Sequence, residues 1–345
     1  MHIAFQRLAR LSLTLGLSMA ASIPATQGDS LPLPYRDVYQ FSDPGTWVEN
    51  IAVRPNGDLL VTILSSAAQL YLVQRPYSDQ PSVSLVHHFR DQVQGLLGIA
   101  ETRPDTFLVA GSRTNLTAQP NASAVFEVVF NNNAAHHGTT TSTSTSTRLV
   151  ANITEAIVLN GAAALPGCGR GHDILLVADS ILGQVFRVDA ATGHYDVAIK
   201  VPEMQGTATA PTGINGLRVH EGYLYFSNSA TLSIYRVKIN RDGSLAADEP
   251  AVETVATIAG EVFLDDFAIG ADGTIWAASN KGNTTYAISP DGKKVVPVLG
   301  GADSDVVRGD TAAAFGRTGQ DRRVLYVTTS MPGKVVAVDA SKYRP

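Results

Sequence analysis

Apolar residues in this chain fall into strand-length runs that come in pairs, each pair joined by a tight polar turn. The second run of a pair ends in small polar residues. Runs of this length, separated by Asn-Gly, Asp-Gly and Pro-Asp-Gly turns, predict β-hairpins and show almost no helical period. The clearest copies are ENIAVRPNGDLLVT from Glu49, GINGLRVHEGYLYFSNS from Gly213 and DDFAIGADGTIWAAS from Asp265.

Weaker copies of the hairpin begin at Gly95, Asn160 and Ala312, which brings the units to six. Their spacing of roughly 50 residues suits a four-stranded propeller blade and exceeds that of leucine-rich or ankyrin repeats. A third apolar run follows most copies, as in QLYLVQ, QVFRVD and SIYRVKI, and favours a blade over an isolated hairpin. The chain is therefore predicted to be all-β, with the fold of a six-bladed β-propeller.

Composition limits the domain count and the class of partner. The chain has 345 residues, of which 44% are hydrophobic and 17% charged, so it has ample apolar surface for a core. The repeats leave no room for a second domain, and one propeller domain over 26–345 is expected. A net charge of −5 without a basic cluster argues against nucleic acid, because phosphates require a Lys/Arg surface. The expected partners are small molecules.

The N-terminus has the pattern of a secretory signal peptide over residues 1–25. Arg7 and Arg10 precede an apolar run from Leu11 to Ala21, and small residues suited to cleavage follow. No later stretch is long and apolar enough to span a membrane in the mature chain. The protein is expected to be secreted or held in the lumen of the secretory pathway, as a glycoprotein with four N-glycosylation sequons, at Asn115, Asn121, Asn152 and Asn283.

One segment departs from the repeat. Residues 131–148 read NNNAAHHGTTTSTSTSTR, a Ser/Thr-rich tract with few apolar residues. Such a tract buries too little surface to order itself. We expect a flexible surface insertion there, between the second and third blades.

Polar residues stand just before the first strand of most units. In a propeller the first strands line the central channel, so these residues should share one rim of it. Their carboxylate and amide oxygens suit a hard cation such as calcium, but the same residue types also cap turns or bond neighbouring backbone. Arg317, slightly further along its strand, could equally pair with Glu49 or Asp266. The rim set is Trp47, Glu49, Asn50, Gln94, Asn160, Asn215, Asp265, Asp266 and Arg317.

The rim resembles that of the senescence marker protein and gluconolactonase superfamily of six-bladed propellers. In that superfamily a Glu, two Asn and an Asp surround a divalent metal. The resemblance implies a calcium site, structural in role, whose ligands would be Glu49, Asn160 in LNGAAAL, Asn215 in INGL, and Asp265 or Asp266 in LDDFAIGADGTIWAA. No histidine stands in the matching rim positions as an obvious base for lactone hydrolysis.

A closer resemblance is to a branch of secreted fungal propellers marked by TWVENIAVRPNGDLLVT, GINGLRVHEGYLYFSNS and AAFGRTGQDRRVLYVTT. Some members are hetero-Diels-Alderases of meroterpenoid secondary metabolism, which join a tropolone-derived quinone methide to a humulene-type terpene. The resemblance implies this cycloaddition here, with no required cofactor. Trp47 and Phe267 are then expected to form walls for the terpene, and the expected hydrogen-bond donors to the enone oxygen are Asn50, Asn215 and Arg317.

Two other functions remain open from the sequence. A calcium-dependent lactonase or related hydrolase would use the rim carboxylates and amides. A non-enzymatic binding module is the second, because propellers often serve as interaction platforms and a fold does not fix a function.

Overall fold

The computed structural model describes residues 31–65, 67–113, 123–132, 143–166, 173–248, 251–261 and 263–344. The predicted signal peptide and the sequons at Asn115 and Asn121 lie outside these residues. Within them the chain forms six four-stranded antiparallel sheets and two 3-10 turns, Pro202–Met204 and Ala340–Lys342, with no α-helix. The predicted six-bladed β-propeller is confirmed.

The first three blades each run in chain order from the inner to the outer strand. The first blade has β2 (Trp47–Val53), β3 (Leu59–Ser65), β4 (Gln69–Gln74) and β5 (Ser82–His88). The second has β6 (Gly95–Arg103), β7 (Thr106–Ser112), β8 (Ser123–Asn132) and β9 (Thr143–Ile153). The third has β10 (Leu159–Ala164), β11 (Ile174–Asp179), β12 (Gln184–Asp189) and β13 (Tyr195–Ile199).

The last three blades complete the ring. The fourth has β14 (Ile214–His220), β15 (Tyr223–Asn228), β16 (Ser233–Lys238) and β17 (Val252–Thr257). The fifth has β18 (Phe267–Ile269), β19 (Ile275–Ala278), β20 (Thr284–Ile288) and β21 (Val295–Gly300). The sixth has β22 (Asp310–Phe315), β23 (Val324–Thr329), β24 (Lys334–Asp339) and, as its outer strand, β1 (Tyr35–Gln40).

Strand β1 closes the ring, because it comes from the beginning of the chain and pairs with β24 near the end. The register runs from Tyr35 opposite Val338 to Gln40 opposite Lys334. This pairing satisfies the hydrogen-bonding edge that β24 would otherwise expose. The pairing of β1 with β24 therefore joins the first and last strands of the chain in one blade and closes the propeller.

The core lies between neighbouring blades. Side chains from the facing sides of two sheets interdigitate there, as in the contact of Phe89 with Phe126, whose ring centroids are 4.6 Å apart. Trp276 packs in the same way against Phe315 and Tyr343. These clusters bury alternate apolar residues of the middle strands. The inner strands of the blades line the axis.

Two Asn-Gly pairs lie within inner strands rather than in turns. A Cβ added at Gly161 would come within 2.2 Å of the backbone oxygen of Asn215, and one at Gly216 within 2.1 Å of Oδ1 of Asp266. Glycine in a strand often marks such a close backbone approach. The two glycines therefore let the inner strands of neighbouring blades meet at the axis.

We expect Gly161→Ala to lower the free energy of unfolding by about 2 kcal/mol, because the added methyl group collides with backbone that cannot rotate away. Equilibrium urea unfolding measures this change. Gly319→Ala is the matched control, since a Cβ there meets nothing within 4 Å. Equal unfolding midpoints for the two variants would contradict the close packing of the inner strands.

The prediction of a flexible insertion over 131–148 is wrong at both of its ends. Asn131 and Asn132 end β8, and Thr143 to Arg148 begin β9, with Asn132 opposite Thr143 and Glu127 opposite Arg148. Alternating threonines favour a strand once an antiparallel partner is present. Nε of Arg148 also donates to Oε2 of Glu127 at 2.7 Å. The two described ends of the tract therefore belong to β8 and β9 of the second blade, and the tract does not lie between the second and third blades.

Candidate functional site

Two cavities lined by described residues lie on the axial channel, one at each end of the inner strands. The entrance cavity, of about 200 Å³, lies where the inner strands begin. Its apolar side chains are Trp47, Leu64, Val158, Ile181 and Phe263. Its polar side chains are Glu49, Asn160, Ser180, Thr212, Asn215, Asp265, Asn280 and Lys281. Five of the predicted rim residues therefore do come together: Trp47, Glu49, Asn160, Asn215 and Asp265.

The opposite cavity, of about 390 Å³, lies where the inner strands end. All six inner strands contribute to its wall, mostly with alanine, isoleucine and valine. Its polar groups are Glu101, Arg218, His220 and Arg317. The channel thus offers a smaller entrance cavity, where aromatic and aliphatic side chains meet amides and acids, and a wider cavity between the alanine-rich ends of the inner strands.

Two carboxyl groups in the entrance cavity are buried and hold their protons more strongly than usual. Burial raises the pKa of Glu49 to about 7. The hydrogen bond that Nε1 of Trp47 donates to Oε2 lowers this pKa in part, and the negative charge of Asp266 raises it further. Burial, together with the charge of Glu49, raises the pKa of Asp265 well above its ordinary value, although Nδ2 of Asn280 donates to Oδ2 at 2.7 Å. Near neutral pH the cavity is therefore less negative than two free carboxylates would make it.

Asn215 presents an amide oxygen that the fold leaves unused. Its side chain is 1% exposed, and Nδ2 donates to Oγ of Ser229 at 3.1 Å, whereas no described residue donates to Oδ1. A buried oxygen without a donor is costly, so a ligand or cation that engages it stabilises the site. With Glu49, Asn160 and Asp265, it gives four oxygen-bearing side chains that line one cavity.

These four side chains fit the hard-cation donor set expected from the sequence, since all offer oxygen. In the described part of the chain no three His, Cys, Asp or Glu side chains are close enough to hold a metal on their own. Binding of a cation in the entrance cavity would therefore need the amide oxygens of Asn160 and Asn215 as well as the carboxylates.

Asp266 and Asn50 were predicted to act in the site, and the structure contradicts both roles. Nδ2 of Asn50 donates to Oδ2 of Asp266 at 2.9 Å, and Nη1 of Arg218 lies 3.1 Å from Oδ1. The backbone N–H of Phe267 also donates to Oδ1, at 2.7 Å. Asp266 is thus occupied within the fold and does not line the entrance cavity, and Asn50 is 3% exposed and lines neither channel cavity.

Phe267 and Arg317 also lie away from the entrance cavity. Phe267 is fully buried in the core cluster of the fourth and fifth blades. Arg317 lies at the opposite cavity, where Nη1 donates to the backbone oxygen of Val53 at 2.9 Å and pairs with Glu101. The expectation that Arg317 pairs with Glu49 or Asp266 is therefore wrong. Arg317 follows the end of β22, and a six-residue strand spans about 20 Å, so it cannot share the rim where that strand begins.

Sequence reasoning missed Phe263, Ser180, Ile181 and Lys281. They come from connections at the entrance end: the segment before β18, the turn after β11 and the turn between β19 and β20. The repeat itself offered a signal for them. Turns from the second to the third strand of a blade return to the end where the inner strand begins, so the position of SNKGNT in the repeat places it at the rim.

The two described sequons differ in accessibility. Asn152 is exposed on β9. Asn283 is partly buried, with Nδ2 donating to the backbone oxygen of Ala302 at 3.0 Å and Oδ1 accepting from the backbone N–H of Gly309 at 2.9 Å. Asn152 is therefore the more accessible position for a glycan.

Asp310 lies next to the site and is completely buried. Oγ1 of Thr285 and the backbone N–H of Ser279 donate to its Oδ2 at 2.9 and 3.3 Å, while no described residue bonds Oδ1. Burial raises its pKa from the ordinary 3.8 to about 7. The native state therefore keeps this proton over a pH range in which the unfolded chain has lost it.

We expect stability to fall as pH rises through this range, because the unfolded state binds fewer protons than the native state. The protein should be less stable at pH 8 than at pH 5 by on the order of 2 kcal/mol, and Asp310→Asn should remove part of this difference. Urea unfolding at the two pH values measures it. An Asp310→Asn variant with the full wild-type pH dependence would show that Asp310 is ionised in the native state.

Comparison with known proteins identifies the family. The chain is 35% identical over 323 residues to a protein of Sarocladium schorii assigned as hetero-Diels-Alderase asR5, covering 86% of this chain and 78% of the relative. It is 34% identical to a Phoma sp protein, also assigned as a hetero-Diels-Alderase, covering 89% of this chain and 90% of the relative. The chain belongs to the hetero-Diels-Alderase family. Membership confirms the expectation of an enzyme over that of a binding module.

The hetero-Diels-Alderase family shares its fold with a wider group. The family model described as SMP-30/Gluconolactonase/LRE-like region matches residues 167–331. The calcium-binding protein regucalcin of Agrobacterium tumefaciens superposes with a TM-score of 0.56 at 15% identity, covering 89% of this chain and 94% of regucalcin. This likeness shows the propeller fold. Among the described residues of the present chain, no helix has the length and apolar character that crossing a bilayer requires.

Proposed function

We propose that the enzyme steers a hetero-Diels-Alder cycloaddition between a polyketide-derived, tropolone-type quinone methide and a humulene-type terpene in the entrance cavity. The observation that carries the proposal is the composition of that cavity. Aromatic and aliphatic walls meet amide and cationic groups within one small space at the end of the channel. The names of the two relatives support the reaction class.

This reaction forms no covalent bond between the substrates and the protein. The four-atom O=C–C=C unit of the quinone methide adds across the terpene alkene. One C–O and one C–C σ bond form while the C=O, C=C and alkene π bonds are consumed and one new C=C bond appears, and neither a proton nor an electron is exchanged with the protein. Catalysis then comes from holding both partners in a reactive pose, worth up to about 7 kcal/mol, and from a hydrogen bond to the enone oxygen, worth about 3 kcal/mol more.

The entrance cavity suits the smaller partner. Its volume of about 200 Å³ lies below the ~300 Å³ at which sites for drug-sized ligands begin. We therefore place the planar heterodiene inside, against Trp47 and Phe263, with the terpene across the mouth of the cavity. The lining resembles other small-molecule sites, which are mainly apolar with a few convergent polar groups.

The test is a reconstituted reaction. Purified protein is incubated with a quinone methide released in solution and with humulene, and the adducts are separated by chiral chromatography. We expect faster formation than in buffer and one dominant enantiomer. A racemic adduct formed at the buffer rate would refute the proposal.

Calcium is a second part of the proposal. Glu49, Asn160, Asn215 and Asp265 would hold the ion, which would serve as a structural cross-link and as a Lewis acid toward a bound carbonyl oxygen. We expect calcium to raise the melting temperature of the wild type and of Asp303→Ala, whose carboxylate is exposed, but not that of Asp265→Ala. An equal response of Asp265→Ala would place the ion elsewhere.

The same four side chains favour a calcium-dependent lactonase as the second candidate function, because a metal site beside a protonatable carboxyl group suits ester hydrolysis. No histidine lines the entrance cavity among the described residues. A panel of lactones assayed with calcium separates the candidates, since turnover there without any cycloaddition would favour hydrolysis.

We propose also that the chain enters the secretory pathway, guided by residues 1–25, and reaches the lumen or the exterior as a glycoprotein. The exposed Asn152 supports glycosylation at that sequon. After expression in a eukaryotic host, N-terminal sequencing should begin near residue 26, and endoglycosidase treatment should reduce the mass of the peptide that contains Asn152. An uncleaved, unglycosylated product would refute this assignment.

A further inference from the structure

Lys281 is the cationic member of the entrance cavity. It lies in the turn between β19 and β20, and its side chain is exposed at the cavity mouth. Of the described residues that line this cavity, it alone carries a positive charge. Its Nζ lies 5.4 Å from the centroid of the Phe263 ring.

The charge of Lys281 has no carboxylate partner within 4 Å in the described part of the chain. The other cations near the axis differ in this respect. Arg218 pairs with Asp266, and Arg317 pairs with Glu101. Arg218 and Arg317 are therefore neutralised within the fold, whereas Lys281 has no such partner among the described residues and contributes to the lining of the entrance cavity.

The acids nearest to the entrance cavity are engaged elsewhere. Glu49 accepts from Trp47, and Asp265 accepts from Asn280. Glu261, beside the same turn, accepts from the hydroxyl of Tyr286. None of these carboxyl groups forms an ion pair with Lys281, so its ammonium group remains able to bind an anion from solution.

We propose that Lys281 is a substrate-binding residue that selects an anionic heterodiene, a planar conjugated ring with an ionised enol oxygen. This inference rests on the proposed function and deepens it by naming the charge of the ring. The ionised enol is conjugated with the carbonyl group of the heterodiene, as in a vinylogous carboxylate. Its negative charge is therefore spread over the enol oxygen and the carbonyl oxygen. The ammonium group binds that oxygen pair while the ring packs against Phe263 and Trp47.

The same contact aids the reaction. Ionisation of the enol makes the ring electron-rich, which disfavours its role as the electron-poor partner of the cycloaddition. A hydrogen bond from the ammonium group withdraws density from the oxygen and restores that polarity. Charge-assisted bonds of this kind are stronger than neutral ones.

The experiment uses two unreactive rings that differ in charge, tropolone and its neutral methyl ether 2-methoxytropone. Isothermal titration calorimetry at pH 8 gives the Kd of each ring for the full-length protein and for three variants. Lys281→Met removes the charge, and Lys281→Arg restores it. Lys293→Met is the matched control, because Lys293 lies in the same blade, 84% exposed and paired with Asp291.

We expect Lys281→Met to weaken tropolone binding about 10-fold or more, since a hydrogen bond to a charged group is lost. Binding of 2-methoxytropone should change less than about 2-fold in the same variant. Lys281→Arg should bind tropolone within about 3-fold of the wild type, and Lys293→Met should match the wild type. The substitution is at an exposed position, and unchanged circular dichroism would verify folding.

Two other outcomes would overturn the inference in distinguishable ways. If Lys281→Met binds both rings as the wild type does, Lys281 does not select the anion, but the proposed cycloaddition stands. If the wild type binds neither ring, the proposed substrate class and the role of Lys281 fall together.

Discussion

Replacing Asp266 with alanine is expected to lower the free energy of unfolding by about 3 kcal/mol. The change leaves the guanidinium of Arg218, 24% exposed, without its counter-charge, and it leaves Nδ2 of Asn50 without its acceptor. Removing one partner of a largely buried ion pair is costly because the other charge stays desolvated. Equilibrium urea unfolding measures the loss.

Two further variants sharpen this prediction. Asp303→Ala, at an exposed carboxylate, should change stability by less than about 0.5 kcal/mol. The double change of Asp266→Leu with Arg218→Leu should be less destabilising than Asp266→Ala, because neither charge is then buried alone. A loss below about 1 kcal/mol in Asp266→Ala would show that the Asn50, Asp266 and Arg218 layer does not hold the axis together.

Trp47→Ala is expected to lower kcat/KM for the cycloaddition about 100-fold. The indole forms one wall of the entrance cavity and donates to Glu49 beneath it. Its loss frees the bound heterodiene to shift, and misplacement of reacting groups by about 1 Å costs about 100-fold in rate. Steady-state kinetics with the quinone methide generator and humulene measures the change.

Arg317→Gln provides the comparison at the other end of the channel. It removes the pairing with Glu101, a partly exposed contact worth at most about 1 kcal/mol. Its kcat/KM should stay within about 3-fold of the wild type. A larger loss in Arg317→Gln than in Trp47→Ala would move the reaction to the opposite cavity.

The fold could be predicted from the sequence because its information is local and repeated. Each hairpin carries its own apolar runs and turn, and six copies at one spacing leave few architectures open. Strand β1 was not predicted, since YRDVYQ stands outside the repeats and is ordered only by its pairing with β24. The hairpin around residues 131–148 was also missed, because composition alone hides a strand that depends on a partner.

The sequence predicts which residues lie near the candidate site, but not which way each side chain points. The slot before each inner strand correctly placed Trp47, Asn160 and Asn215 at one cavity. Successive residues of an extended chain point to opposite sides, so neighbours in that slot have different roles. Asp265 faces the cavity, whereas Asp266 bonds Asn50 and Arg218 beneath it.

The remaining errors have other physical causes. Phe267 begins β18 but packs between two blades, where an apolar ring gains most from burial. Lys281 and Phe263 reach the cavity from connecting segments, which hydrophobic periodicity does not describe. An ion pair such as Arg317 with Glu101 joins residues from different blades and has no signature along the chain.

The central claim is that the cycloaddition takes place in the entrance cavity, and the enantiomeric ratio of the adduct tests it most directly. Chiral chromatography would compare the wild type, Trp47→Ala and Arg317→Gln under identical conditions. We expect one dominant enantiomer from the wild type and from Arg317→Gln, and a ratio close to that of the buffer reaction from Trp47→Ala. Full stereocontrol by Trp47→Ala, with its loss in Arg317→Gln, would contradict the claim.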